Sequence, residues 1–104
     1  MGKNIIWSAT ALKQLESIHF YILFESKSIG IADKVIDAIF ESTKILKTNP
    51  EIYKIDLLKT NNNGSFRVYF IYDFQVSYRI TPEKIQVLRV RHNARKPKNL
   101  KWKI

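Results

Sequence analysis

An α+β fold is predicted for this chain, with elements in the order β-α-α-β-β-β. The main observation is a change of period. Up to Lys47 the apolar residues recur three and four apart, as on one face of a helix. From Phe66 onward they alternate one by one, as on a strand. A third observation is a short β-prone run ahead of the first helical stripe. The length of 104 residues fits one domain spanning 1–104, and a chain of this size can bury roughly two-thirds of its unfolded surface.

The elements follow in order. Asn4-Ile-Ile-Trp7 is the opening strand. Ser8 is placed to cap a helix, because its hydroxyl can accept an orphan backbone N–H. Ala11, Leu15, Ile18 and Ile22 then share one helical face, which Leu12 and Leu23 widen. The pattern breaks around Ser26 to Gly30. A second stripe runs through Ala32, Val35, Ile36, Ile39, Phe40, Thr43 and Leu46. Asp33 near its start and Lys44 and Lys47 near its end suit the helix dipole. Asn49-Pro50 closes it, since the residue before proline avoids the α region. Two helices with a short break between them predict an antiparallel α-hairpin.

Phe66, Val68 and Phe70 alternate with Arg67, Tyr69 and Ile71 in the next strand. Phe74, Val76, Tyr78 and Ile80 alternate with Gln75, Ser77 and Arg79 in the one after it, with a tight connection near Tyr72-Asp73. Asn61-Asn-Asn-Gly64 is a loop that accepts positive φ. Thr81-Pro-Glu-Lys84 is a turn, and Ile85 to Arg91 is the last strand. On that strand Arg89 and Arg91 project from one face, while Leu88 and Val90 are expected to point to the core. The tail from 98 to 104 shows no clear pattern.

The charge is localised. Residues 1–83 hold ten basic and nine acidic side chains; from Lys84 on there are eight basic and none acidic. So lopsided a cluster usually meets an anion: nucleic acid, a membrane surface or an acidic protein segment. Its bland counterpart is an edge strand and tail protected from unwanted pairing by Lys and Arg. Cysteine is absent, which removes disulfides, thiolate nucleophiles and Cys-based metal sites and suits a reducing cytoplasm. The longest apolar run, Phe20 to Phe24, is far short of a membrane span. The two histidines, 73 positions apart, make no metal site, and the three isolated glycines make no phosphate loop. No cofactor is expected.

The order, with these residues, resembles the RelE/ParE superfamily of type II toxin–antitoxin toxins, which includes the plasmid stabilisation proteins. The resemblance runs through Trp7-Ser8 with Ala11, Leu15, Ile18 and Ile22, Asn49-Pro50-Glu51-Ile52-Tyr53, Lys59 to Gly64, Ser65-Phe-Arg67, Phe74-Gln-Val-Ser-Tyr-Arg-Ile80, Ile85 to His92 and Arg95-Lys-Pro97. It implies the α-hairpin packed on a small, mostly antiparallel sheet. It also implies an acidic antitoxin partner that wraps the toxin, and a growth-inhibiting action inside the cell. RelE-like members cleave mRNA on the ribosome; ParE-like members are associated with inhibition of DNA gyrase and lack the RNase residues.

The chemistry separates these branches. Cleaving RNA through its 2′-hydroxyl needs a base, an acid and cations for the developing phosphorane charge. Gln75 stands where the RelE-like resemblance implies an Arg, and no Tyr follows Tyr78. A neutral amide supplies no counter-charge. On the other side, Arg67 and Arg79 can bring charge from the sheet, His92 can titrate near neutrality, and Arg95 occupies the basic turn that the resemblance assigns to RNases. These four are the catalytic candidates. Arg89, Arg91, Arg95, Lys96 and Lys98 are expected to contact the target or the antitoxin. The expected reading is therefore ParE-like, with a ribosome-dependent endonuclease and a non-toxic nucleic-acid-binding module as alternatives. The strand aromatics are expected to fill the core or pair across strands, and His19 to flank the first helix. Trp102 is expected to dock against the domain or a partner.

Overall fold

Residues 2–92 are described by a computed structural model of the chain. Strand β1 (Asn4–Trp7) leads into helices α1 (Ala9–Ser26) and α2 (Ile29–Ser42). Strands β2 (Lys54–Ile55), β3 (Phe66–Ile71), β4 (Phe74–Ile80) and β5 (Lys84–His92) follow. The sheet order is β1-β5-β4-β3-β2. Only β1 and β5 run parallel; the other pairs are antiparallel. The α-hairpin packs on one side of this sheet, so the α+β expectation holds with one addition. The two-residue β2 was not expected, because two residues are too few to show a period.

The helices start where their caps place them. Ser8 Oγ accepts the Ala11 N–H at 2.9 Å and donates to the Leu88 carbonyl at 2.9 Å. Ser28 Oγ accepts the Ile31 N–H at 3.2 Å and starts α2. Between them Lys27 takes a left-handed conformation, φ 57°, and its N–H closes α1 on the Leu23 carbonyl. The break predicted over Ser26 to Gly30 is thus only two residues wide. Beyond α2 the chain tightens into a 3₁₀ turn over Lys44–Lys47. Thr43 and Leu46 are still buried there, so the second stripe continues past the α-helix.

The predicted α1 stripe of Ala11, Leu15, Ile18 and Ile22 is buried in full, as are Ala32, Val35 and Ile39 of α2. Leu12 is not: it stands exposed. From the sheet, Tyr69, Phe74, Val76, Tyr78, Ile85, Val87 and Val90 complete the core. Tyr69 donates or accepts at Ser42 Oγ, 2.7 Å away, and Tyr78 donates to the Pro50 carbonyl at 2.7 Å. Burial pushes both phenols up to about 12, because the phenolate would lose its hydration.

One irregularity changes the reading of β5. Ser77 pairs with Arg89 but Tyr78 pairs with Val87, which leaves Leu88 as an extra residue in a bulge. Leu88 therefore breaks the alternation. It is half-buried and lines the side of the sheet away from the helices, which corrects the expectation that it points to the core. Val90 is buried as expected. Side chains close the edge of β5 beyond β1. Ser8 takes the Leu88 carbonyl, and Gln14 Oε1 accepts the Val90 N–H at 2.7 Å.

Candidate functional site

Residues directly opposite each other in a sheet share a face, so the register sorts the strand residues into two sets. One set contains Tyr69, Val76 and Val90, then Tyr78, Val87 and Trp7; this is the face under the helices. The other set forms three rows across the sheet. Phe70, Gln75 and Arg91 make the first. Lys54, Val68, Ser77 and Arg89 make the second. Phe66, Arg79, Gln86 and Ile6 make the third. No described helix covers that face. Phe70 is 59% exposed and Ile6 46%, values that separate it from the buried side.

A groove of about 210 Å³ lies on the open face. Phe66, Arg67, Gln75, Ser77, Tyr78, Leu88, Arg89 and Arg91 line it from the strands, and Asp56, Leu58 and Lys59 from the loop after β2. Asn62 folds that loop back. Its amide nitrogen donates to the Asp56 and Phe66 carbonyls, and its oxygen accepts the Gly64 and Phe66 N–H groups. Gly64 at φ 97° completes the turn. Lys59 Nζ lies 4.6 Å from the centre of the Phe66 ring and the Arg79 guanidinium 5.1 Å from it, so both cations rest against one aromatic. Among the described residues, side chains at salt-bridge distance from a carboxylate are His19, on Asp33, and Lys44, on Glu41. Neither touches this face. Lys59, Arg79, Arg89 and Arg91 thus present positive charge with no carboxylate within salt-bridge distance.

The catalytic candidates do not meet at one point. Arg79 is on the open face. Arg67 belongs by register with Tyr78 and reaches the groove's edge, but its guanidinium is turned into the loop: Nε donates to the Gly64 carbonyl, and Nη1 to those of Glu51 and Tyr53, at 2.9, 3.2 and 2.9 Å. Three carbonyls hold that guanidinium in place. His92 pairs with Phe74 and so lies on the helix side. Its ring meets Tyr21 at 5.4 Å and Phe74 at 5.1 Å, both edge-on. Its Nε2 is buried without a hydrogen-bond partner. Arg95, Lys96, Lys98 and Trp102 lie outside the described residues.

The binding expectation for Arg89 and Arg91 meets a suitable setting: both are exposed and both line the groove. His19 stands on the flank of α1 and pairs with Asp33 across the hairpin at 2.8 Å. The aromatics divide. Phe74, Tyr78 and Tyr69 are core, whereas Phe70 and Tyr72 are exposed. Leu58 was not singled out from the sequence and Lys59 entered only as the start of the resemblance segment Lys59 to Gly64, because nothing periodic in the loop signals that Asn62 brings it over the sheet. Three or more His, Asp or Glu residues that could hold a metal do not come together among the described residues. No described helix is long and apolar enough to cross a membrane.

Comparison with known proteins places this architecture. Residues 5–97 match the family described as the ParE toxin of the type II toxin–antitoxin system, parDE. A solved structure titled "Chromosomal ParDE TA system from P. aeruginosa" is similar with a TM-score of 0.74, at 18% identity over 88% of this chain and 97% of that one. At that identity the likeness speaks to the fold. No curated protein matches the sequence. With nearly the whole chain matched, the protein belongs to the ParE toxin family of type II toxin–antitoxin systems.

Proposed function

We propose that this ParE-family toxin arrests growth by binding and inhibiting a macromolecular target in the cytoplasm, DNA gyrase, and that an acidic antitoxin holds it inactive. The observation that carries the reading is the make-up of the open sheet face. Arg91 and Arg89 stand beside neutral Gln75 and Ser77, and His92 is on the other side of the sheet. An arginine holds charge but does not release its proton near neutral pH, so Arg89 and Arg91 supply binding and not proton transfer for RNA cleavage. Unpaired cations on an accessible surface are what an acidic antitoxin segment would neutralise. They also steer association with a charged target.

The test is expression of the chain alone, followed by two assays. Growth arrest with inhibited gyrase supercoiling and intact transcripts is the expected result. Co-expression of a short acidic protein encoded next to this gene should restore growth. Growth arrest with cut transcripts and normal supercoiling would replace the reading by a ribosome-dependent endonuclease, especially if Arg67→Ala and His92→Ala abolished the cuts. Unimpaired growth at high expression would remove both toxin readings and leave a nucleic-acid-binding module.

A further inference from the structure

We infer that the open face of the sheet binds an extended single strand of nucleic acid, with phosphates along β5 and a base stacked on Phe70. The inference goes beyond gyrase inhibition and does not depend on which protein the toxin targets.

The register supplies the geometry. Arg89 and Arg91 are two apart on β5 and share a face. Two residues of strand advance about 6.8 Å, close to the step between successive phosphates of an extended strand. Arg89 is directly opposite Ser77, and Arg91 directly opposite Gln75. Each arginine therefore has a neutral hydrogen-bonding side chain beside it, toward the middle of the sheet. Gln75 is in turn opposite Phe70, whose ring is 59% exposed. Across a single row, the sheet thus offers a cation, an amide and an uncovered aromatic ring. Those are the groups that meet a phosphate, a base edge and a base face. An acidic protein segment would use the arginines but would have no specific need of an exposed aromatic beyond an amide. Phe66 is different, because Lys59 and Arg79 already rest against its ring. It belongs to the charged wall and not to the stacking surface.

The experiment titrates the purified full-length chain against fluorescein-labelled twelve-nucleotide oligo-dT and oligo-U, reading anisotropy from 50 to 200 mM KCl. Both oligomers are expected to bind, with affinity falling linearly on logarithmic axes as salt rises. Each phosphate contact to a single strand contributes about 0.7 to that slope. Replacing Arg89 and Arg91 together by Ala should lower the slope by about 1.4. Phe70→Ala should weaken binding by about fivefold or more, the low end for one stacked base, with the slope unchanged. All three side chains are exposed, and matched melting curves would show that the variants stay folded.

Three results would overturn the inference. The first is no binding at 50 mM KCl. The second is an unchanged slope in the double arginine variant, which would place the contact on the basic residues beyond His92. The third is unchanged affinity in Phe70→Ala, which would leave no base stacked on that ring and make the face a dock for anions in general. A failure of gyrase inhibition would leave this binding measurement untouched.

Discussion

The two faces of one sheet differ more than any two elements of this molecule. Val90 and Arg91 are consecutive on β5, yet Val90 is 1% exposed under the helices and Arg91 stands in the open groove. The same holds on β4 for Val76 and its neighbours Gln75 and Ser77. The covered face is apolar, with its phenol groups hydrogen-bonded to Ser42 and Pro50. The open face carries unpaired cations and an exposed ring. Alternation thus lets each strand hold the fold with one set of side chains and meet a partner with the other. Substitutions one residue apart should therefore act on different properties.

The largest effect on folding should come from Phe74→Ala. Phe74 is fully buried, and truncating a buried phenylalanine costs about 3–5 kcal/mol. Urea denaturation should show that loss, and a near-unchanged midpoint would mean the helix-side core is not what stabilises the sheet. Alkaline pH should act on the same face. An unfolded tyrosine titrates near 10, whereas burial pushes Tyr69 and Tyr78 up to about 12 in the fold. The stability they contribute is fully present below about pH 10 and is lost as pH rises through about 12. The denaturation midpoint should fall in that window, with phenolate absorbance from the buried tyrosines appearing together with unfolding.

Arg67→Ala tests the boundary between the faces. It would free the carbonyls of Gly64, Glu51 and Tyr53, a cost of about 1–3 kcal/mol if they stay partly buried. It should also loosen the loop that carries Lys59. A variant that kept its stability but lost growth arrest would give Arg67 a direct role. The smallest change in stability belongs to the open face. Arg89→Ala with Arg91→Ala should alter unfolding by less than about 0.5 kcal/mol while abolishing growth arrest on expression. A large loss of stability there would erase the division between the two faces.

Much of this was legible in the residues. The stripe of Ala11, Leu15, Ile18 and Ile22 gave α1 and its buried side, and the switch to alternation gave β3, β4 and β5. Ser8 was readable as a cap because capping chemistry is local. Arg89 and Arg91 were readable as one face for the same reason. Leu88 was not, since a bulge is a property of two paired strands. Nor were β2 and the groove wall at Lys59, which depend on Asn62 bridging Asp56 and Phe66.

The sequence alone therefore determined the two helices, four of the five strands, their order and the placement of positive charge toward its end. Each of these rests on spacing or composition along a short stretch of chain. Only the tertiary structure decided which face β3 presents to the helices and where β5 changes its alternation. It alone put Arg79 on the open side beside Arg89 and Arg91, turned Arg67 into a loop, and set His92 against Tyr21 and Phe74 on the far side. The physical reason is that a strand's period fixes which residues go together but not which way they point. That direction is set by register with neighbouring strands, and a single extra residue at Leu88 shifts it.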